Sequence, residues 1–376
     1  MARALIMSPE RSFLPHAEAA LLVALARSED VPADRVAALL QRDLDWDRLI
    51  RLAGAHDVIP FLYHHLKGRA DAVPADVLQD LRTIYFHQFR RSIQIRGELP
   101  RLLAHLDDHG IEALPFKGPV LAALAYRDEN LRTFTDLDLL IRKGDVERTI
   151  GALTAAGFKA KNPLQPNYDT TWDTYAPWHR PHGNANGYVR DEGTPGALHV
   201  DIHWGLASRY FLFPMEPDEL WTRRTSVTLD HGATVSTFSP EDTLLFQCMH
   251  AAKDAYYRLG HICDLAELLR THPDLDVATV LERAHALRSE QMVLLGLRLS
   301  HTVLDAPLPS PIRRRVLEHE AAAQLARRVQ QALFHARHGV PRLLHLIQFH
   351  LRVRDRTRDG LGAAYHSLRT SLQSVL

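Results

Sequence analysis

Cysteine is nearly absent: Cys248 and Cys263 are the two in 376 residues. A structural disulfide is not expected in a chain of this size with so few thiols. Fourteen residues separate the pair, on what read as neighbouring helices, and both are expected as buried free thiols. Long apolar runs are missing as well. No stretch approaches the roughly 20 residues needed to cross a bilayer, so no membrane partner is expected. The start, Met-Ala-Arg-Ala-Leu-Ile-Met-Ser-Pro-Glu-Arg, is too short and too soon interrupted for a secretory signal, which makes the cytoplasm the expected compartment. Neither sign of charge is in excess, with 45 basic residues against 45 acidic ones. That balance removes the broad footprint of a dedicated nucleic-acid binder, although a local patch survives such an average, and nucleic acid is not favoured as a partner. No internal repeat of fixed period occurs. What remains, 46% hydrophobic and 24% charged residues, describes an ordinary globular chain with room for a full core and two domains or lobes. The 23 His residues are scattered, as surface or satisfied histidines are.

Residues 15 to 107 are dense in Ala, Leu and Arg, with apolar positions returning every three or four residues. Val-Pro-Ala-Asp occurs at 31–34 and at 73–76, putting Pro near a helix start and Asp in the first turn. The pattern predicts a lobe of four or five helices, the last over about 76–108 and stopped by Gly110. From 111 the texture changes to β-like runs at 111–116, 136–142, about 157–161, 170–178, 197–204, 225–230 and 233–238, interrupted by helices at about 118–126 and 144–156. A polar segment at 162–196, rich in Pro, Gly and Asn, is long enough to be a functional loop or a disordered one. From Ser239-Pro240-Glu241-Asp242 the helical period resumes, with Ser239 as N-cap and Pro at the first helical position. Helices are expected over 241–256, 261–271, 276–286, 288–304, 310–335 and 340–374, with breaks. The whole is an α+β chain, a small mixed-sheet core at 109–239 flanked by helical lobes at 1–108 and 240–376. Arg352, Arg354, Arg356 and Arg358 read as a solvated face rather than a phosphate-binding patch.

The densest chemistry lies at 114–142. Asp136 and Asp138 sit two apart inside an apolar run, so on a strand both carboxylates project from one side of the sheet. Adjacent anions repel, which raises a pKa or recruits a cation, and oxygen ligands suit Mg²⁺ or Mn²⁺ better than zinc. In Leu198-His199-Val200-Asp201-Ile202-His203-Trp204 the polar residues share one face and the apolar ones the other. That face is either the wet side of a half-buried strand, part of a carboxylate site, or a His-Asp-His metal site whose ligands stand awkwardly far apart, about 7 Å from one to the next. Gly118 follows the strand at 111–116 and permits close approach of a ligand's phosphates, with the N–H groups and dipole of the next helix directed at them. Lys117 adds a positive charge beside this turn, or is a surface lysine at a strand end. Arg132 either binds phosphate or pins the two aspartates, while Asp128 and Glu129 before it read as solvated. Trp172, Tyr175, Trp178 and Trp204 fill a core or stack on a base.

Lys117-Gly118-Pro119, Arg132, Asp136-x-Asp138 and the later Val-Asp201-Ile-His203-Trp together resemble the nucleotidyltransferase superfamily over about residues 95–270. The chain looks most like a bacterial branch described only as an uncharacterised nucleotidyltransferase family, related to abortive-infection and toxin-type nucleotidyltransferases. The resemblance implies an NTP co-substrate and Mg²⁺ or Mn²⁺ held by Asp136, Asp138 and Asp201, which would be the catalytic carboxylates. Lys117, Gly118, Arg132 and His203 would then stand on the nucleotide side. A His-x-x-Lys and a later Asp-Leu recur in the helical part of such proteins, which implies that His250, Lys253 and Asp264 line the cleft near the base or ribose. His250 and Lys253 share a helix face and are alternatively part of an interhelical polar network. Related families place Gly-Ser or Gly-Gly-Thr at the turn, whereas Gly-Pro here removes one N–H and a hydroxyl. The expected function is Mg-dependent transfer of NMP from an NTP to a small-molecule, peptide or protein acceptor. Two other readings are an inactive nucleotide- or partner-binding module and, more weakly, a metal-dependent phosphohydrolase.

Overall fold

A computed structural model describes residues 14–161, 185–194, 196–206, 215–335 and 340–355. Trp172, Tyr175, Trp178, Arg356 and Arg358 lie outside the described residues, as does most of the segment 162–196. Five helices come first: α1 (Ala17–Leu25), α2 (Ala33–Leu40), α3 (Trp46–Ala55), α4 (Ile59–Leu66) and α5 (Ala75–Asp108). Pro32 and Pro74 immediately precede α2 and α5, with Asp34 and Asp76 in the first turns. Asp45 caps α3 by accepting the Arg48 N–H at 2.9 Å. Helix α5 runs about 50 Å at 1.5 Å per residue and contains Pro100. It ends where Gly110 takes a φ of +67°.

The α/β part consists of β1 (Ala113–Pro115), α6 (Gly118–Ala125), β2 (Asp136–Ile141), α7 (Val146–Ala155), β3 (Lys159–Ala160), β4 (Ala185–Arg190), β5 (Leu198–His203), α8 (Pro217–Thr222), β6 (Thr225–Thr228) and β7 (Thr234–Thr237). Strand order in the main sheet is β1-β2-β5-β4-β3, with β6-β7 a separate hairpin. Strands β2 and β5 are parallel and every other pairing is antiparallel, so the sheet is mixed. Strand β4 is not among the expected strands: it lies within 162–196, the segment that reads as a functional or disordered loop. Its Ala-Asn-Gly-Tyr-Val-Arg is a poor strand former locally, and it is held by ladders on both sides, to β5 and β3.

The closing helices are α9 (Pro240–Lys253), α10 (Leu259–Thr271), α11 (Val277–Ala286), α12 (Glu290–Leu304), α13 (Ser310–Glu318), α14 (Glu320–Leu333) and α15 (Val340–Arg352). Ser239 caps α9 as the sequence predicts, its Oγ accepting the Asp242 N–H at 3.1 Å. The helix expected over 310–335 is broken at His319, whose Nδ1 accepts the Ala322 N–H and starts α14 anew. Arg354 is also unlike its expectation: it is buried at 5% exposure. The chain turns back after α15 so that Asp355 accepts the first N–H groups of α12, from Glu290 and Gln291, both at 3.1 Å.

Helices from the two ends of the chain share one apolar core, running from Ala19 and Leu22 through Leu62 and Leu81 to Tyr256, Leu265, Leu297 and Val329. A second core lies under the sheet, with Leu137, Leu139, Val200 and Ile202 against Leu153 and Phe158. Helix α5 joins them. Its Val77 and Leu81 belong to the first, and Ile95, Leu99, Leu102 and Leu106, at alternating four- and three-residue spacing, to the second. Cys248 and Cys263 are free and fully buried in the helical core, as expected.

His56, just after α3, stitches the early helices to the late ones. Its Nδ1 accepts the Leu259 N–H at 3.1 Å and its carbonyl accepts the Gly260 N–H at 2.9 Å. Burial, with Arg258 adding to it, lowers its pKa to about 4. The unfolded chain therefore binds a proton between about pH 6.5 and 4 that the folded chain refuses, and stability falls as pH drops through that window. The contribution of His56 is on the order of 3 kcal/mol. Urea unfolding of wild type and His56→Gln at pH 7 and pH 4.5 checks this: wild type is expected to lose more stability between the two than the variant.

Candidate active site

Parity along β5 is as the sequence predicts. Leu198, Val200 and Ile202 are buried, while His199, Asp201 and His203 alternate with them on the more open face. The parallel register places Asp136 beside His199 and Asp138 beside Asp201. Neighbouring residues in register point to the same side of a sheet, so Asp136, Asp138 and Asp201 come together on one face. Asp138 is 6% exposed, and Asp136 and Asp201 are both half-buried.

These carboxylates are not electrostatically alike. Burial alone would raise the Asp138 carboxyl. Lys117 and His203 outweigh it and hold the group well below the usual carboxylate range. Lys117 Nζ donates to Asp138 Oδ1 at 3.0 Å, and His203 Nε2 lies 3.0 Å from the same oxygen. Among the described residues no hydrogen bond is made to Asp138 Oδ2, which leaves a lone-pair face for a ligand. Among the described residues, no cation forms an ion pair with Asp136. Burial and then the charges of Asp138 and Asp201 push its carboxyl up. Lys161, following β3, reaches Asp201 Oδ1 at 3.1 Å. It can do so because Gly187, the β4 neighbour of Asp201, has no side chain: a Cβ there would stand 2.8 Å from Lys161 Cδ and 2.9 Å from Asp201 Oδ1. As a donor set, three carboxylates crowded on one face suit a hard divalent cation.

The glycine turn abuts this face. Gly118 opens α6 with φ +53°, and a Cβ on it would approach the Asp136 carbonyl to 3.1 Å. Both the dihedral and the space favour glycine. Pro119 takes the next position. Helix α6 is buried almost throughout, and its last carbonyls are taken by α10: Thr271 Oγ1 donates to Ala125 O at 2.7 Å and His272 Nε2 lies 2.8 Å from Leu124 O. Lys117 runs to Asp138 past the rings of Phe116 and Phe246, 5.4 and 5.6 Å from their centroids.

Arg132 does not pin Asp136 and Asp138, one of the two roles expected of it. Asp264 on α10 holds it, with Nε donating to Oδ1 at 2.8 Å and Nη2 to Oδ2 at 3.2 Å. Tyr126 donates to the same Oδ1 at 2.6 Å, and Arg132 Nη1 reaches the Gly118 carbonyl at 3.3 Å. Burial opposes the guanidinium charge, but Asp264 outweighs it and raises the pKa. The reason lies in fold geometry: α10 packs on α6, bringing the Asp264 fork closer to Arg132 than the sheet carboxylates are. Glu129, expected in solvent, is likewise buried. Arg96 of α5 comes within 3.1 Å of it and 2.7 Å of Asp230.

A cleft of about 320 Å³ collects these groups. Lys117, Gly118, Arg132, Asp136 and Asp138 line it from the α/β part, His250, His261 and Asp264 from α9 and α10, and Asp57 and Phe61 from the early helices. Gln247 Nε2 also lines it, buried and without a hydrogen-bond partner. Asp201 and His203 stand just beyond the lining, one strand over. Lys253 is exposed at the end of α9 and does not line the cleft. Although it is one turn from His250, the helix ends there and the side chain faces solvent. Trp204 is buried in the core under the sheet. Burial first, then Lys117 and His261, lower the pKa of His250 well below its ordinary value and keep the ring neutral. Tyr126, Lys161, Gly187, Gln247 and His261 were not singled out from the sequence. None belongs to a spaced motif, and each acquires its place through a contact between distant elements.

Residues 42–305 match the model of a family described as uncharacterised nucleotidyltransferase. No curated protein and no solved structure matches the chain. The matched span begins before α3 and ends with α12, so it takes in helices from both sides of the sheet as well as the sheet itself.

Proposed function

The chain belongs to the uncharacterised nucleotidyltransferase family, and from that premise we propose that it transfers NMP from an NTP to a small-molecule, peptide or protein acceptor, releasing pyrophosphate, with Mg²⁺ or Mn²⁺ at Asp136, Asp138 and Asp201. The observation that carries this reading is the convergence of those three carboxylates on one sheet face beside the Gly118 turn. A divalent ion, when bound, supplies charge neutralisation at the reacting and departing phosphate oxygens.

The chain's own residues do the rest. Lys117 and His203 keep Asp138 ionised and oriented. Asp201, more exposed than Asp138, would accept the proton of the attacking hydroxyl. The Gly118 turn offers the N–H groups at the start of α6 to phosphate, less the one that Pro119 lacks. Arg132 is a positioning residue: anchored on Asp264, it holds the Gly118 carbonyl and lends positive charge to the cleft. Gln247 and His250 face the cleft from α9, on the side left for base or ribose.

A specific observation also favours the alternative of a nucleotide- or partner-binding module without turnover. Lys117 and Arg132, the two cations expected at the triphosphate, both already hold carboxylates. One experiment separates the readings. The purified chain is incubated with Mg²⁺, cell extract and each α-labelled NTP in turn. Label on an acceptor with pyrophosphate release is expected. Saturable NTP binding with no pyrophosphate would instead establish the binding module, and release of orthophosphate would establish a hydrolase.

A further inference from the structure

His250 lies in the last turn of α9 and Asp254, four residues on, is the helix's C-cap, so the two lie on one face at its end. The chain then reverses through Ala255 and Tyr256, both left-handed at φ +48° and +53°, and α10 brings His261 back against that face. One ligand-type atom from each of the three side chains lies within 4.8 Å of the others. The two imidazoles stand 5.7 Å apart between centroids, at 70° to one another.

Among the described residues, no hydrogen bond or ion pair is made by any of these three side chains. His261 Nδ1 is buried with no partner at all. Buried polar atoms of this kind are nearly always satisfied, so a ring nitrogen left unpartnered beside a second imidazole and a carboxylate calls for a ligand. Two imidazole nitrogens and one carboxylate oxygen form a borderline donor set, that of Zn²⁺ and similar transition ions. It differs in kind from the all-oxygen set on the sheet. His250 and His261 line the cleft whereas Asp254 does not, so the side without a protein ligand is the side open to a cleft ligand or water.

We propose that His250, Asp254 and His261 form a transition-metal site of the Zn²⁺ class, which ties α9 to α10 and presents an open coordination position to the cleft. This site is distinct from the one at Asp136, Asp138 and Asp201. It stands whether or not the chain transfers nucleotides, because its test reads metal binding alone.

The full chain, stripped with chelator, is titrated with Co²⁺ and followed by visible absorption. Zn²⁺ competition and elemental analysis after desalting follow. Wild type is expected to bind one equivalent, with the intense bands of a four-coordinate ion that Zn²⁺ displaces. His261→Ala and Asp254→Asn are expected to weaken binding roughly tenfold or more, and Asp136→Asn to leave it unchanged. Asp254→Asn keeps the side chain's shape, so it serves if His261→Ala fails to fold, and the Zn²⁺-induced rise in melting temperature should vanish with it. Failure of wild type to retain an ion, equal binding by His261→Ala and Asp254→Asn, or binding lost only in Asp136→Asn would each overturn the proposal.

Discussion

Asp138→Asn is expected to lower nucleotidyl transfer by about a thousandfold, equivalent to about 4 kcal/mol of transition-state stabilisation. Asp138 is the most buried of the three sheet carboxylates and the one that both Lys117 and His203 address. An amide of the same shape preserves packing but removes the anion. Lys117 and His203 then lose their charged partner, and a cation loses its central ligand. Removing that anion also relieves Asp136, whose carboxyl the Asp138 charge helps to raise, so Asp136 ionises more readily and offsets part of the lost cation affinity. Rates of label transfer for wild type and Asp138→Asn, with circular dichroism to establish that the variant is folded, decide the matter. A folded variant turning over within tenfold of wild type would remove the sheet carboxylates from the chemistry.

Asp264→Ala is expected to destabilise the fold by about 3–5 kcal/mol, the cost of breaking a buried ion pair from one side. The carboxylate accepts a two-pronged bond from Arg132 and a short one from Tyr126, and little of either charged group is exposed. Its loss leaves the Tyr126 phenol without its acceptor and the Arg132 guanidinium without its counter-charge, held by the Gly118 carbonyl alone among the described residues. Replacing the pair together, as Arg132→Met with Asp264→Leu, should recover much of the loss, because no uncompensated charge remains. Urea midpoints of the two variants against wild type provide the test. A single variant within about 1 kcal/mol of wild type would mean that the pair is solvated in solution, and would return Arg132 to the phosphate role that its place in the sequence suggests.

Much of the local architecture could be read residue by residue. The alternation at 198–204 predicted which side chains of β5 are buried, and the three- and four-residue return of apolar positions over 15–107 predicted the early helices. Ser239, Pro240 and Gly110 marked helix ends where the backbone does turn. Aspartates at 136 and 138 had to share a face once that segment formed a strand. These inferences rest on the fixed periods of strand and helix and on cap chemistry, which act within a few residues. Motif resemblance added the family and pointed to Asp201.

The partners were not legible. Arg132 bonds a residue 132 positions away rather than the aspartates four and six along. Glu129 and Arg354 looked like surface charges and are buried. Strand β4 hides in a segment rich in loop-forming residues, and the helices of the two ends merge in one core although the sheet separates them in sequence. His250 and Asp254 gain a third companion through a turn whose two left-handed residues no local preference announces. Periodicity and capping were therefore dictated by the order of residues, since they depend on dihedral geometry and neighbours a turn away. Which charges meet, and which polar atoms are left to wait for a ligand, was settled by helix and sheet packing, because desolvation and Coulomb energy depend on distances in space that sequence separation does not encode.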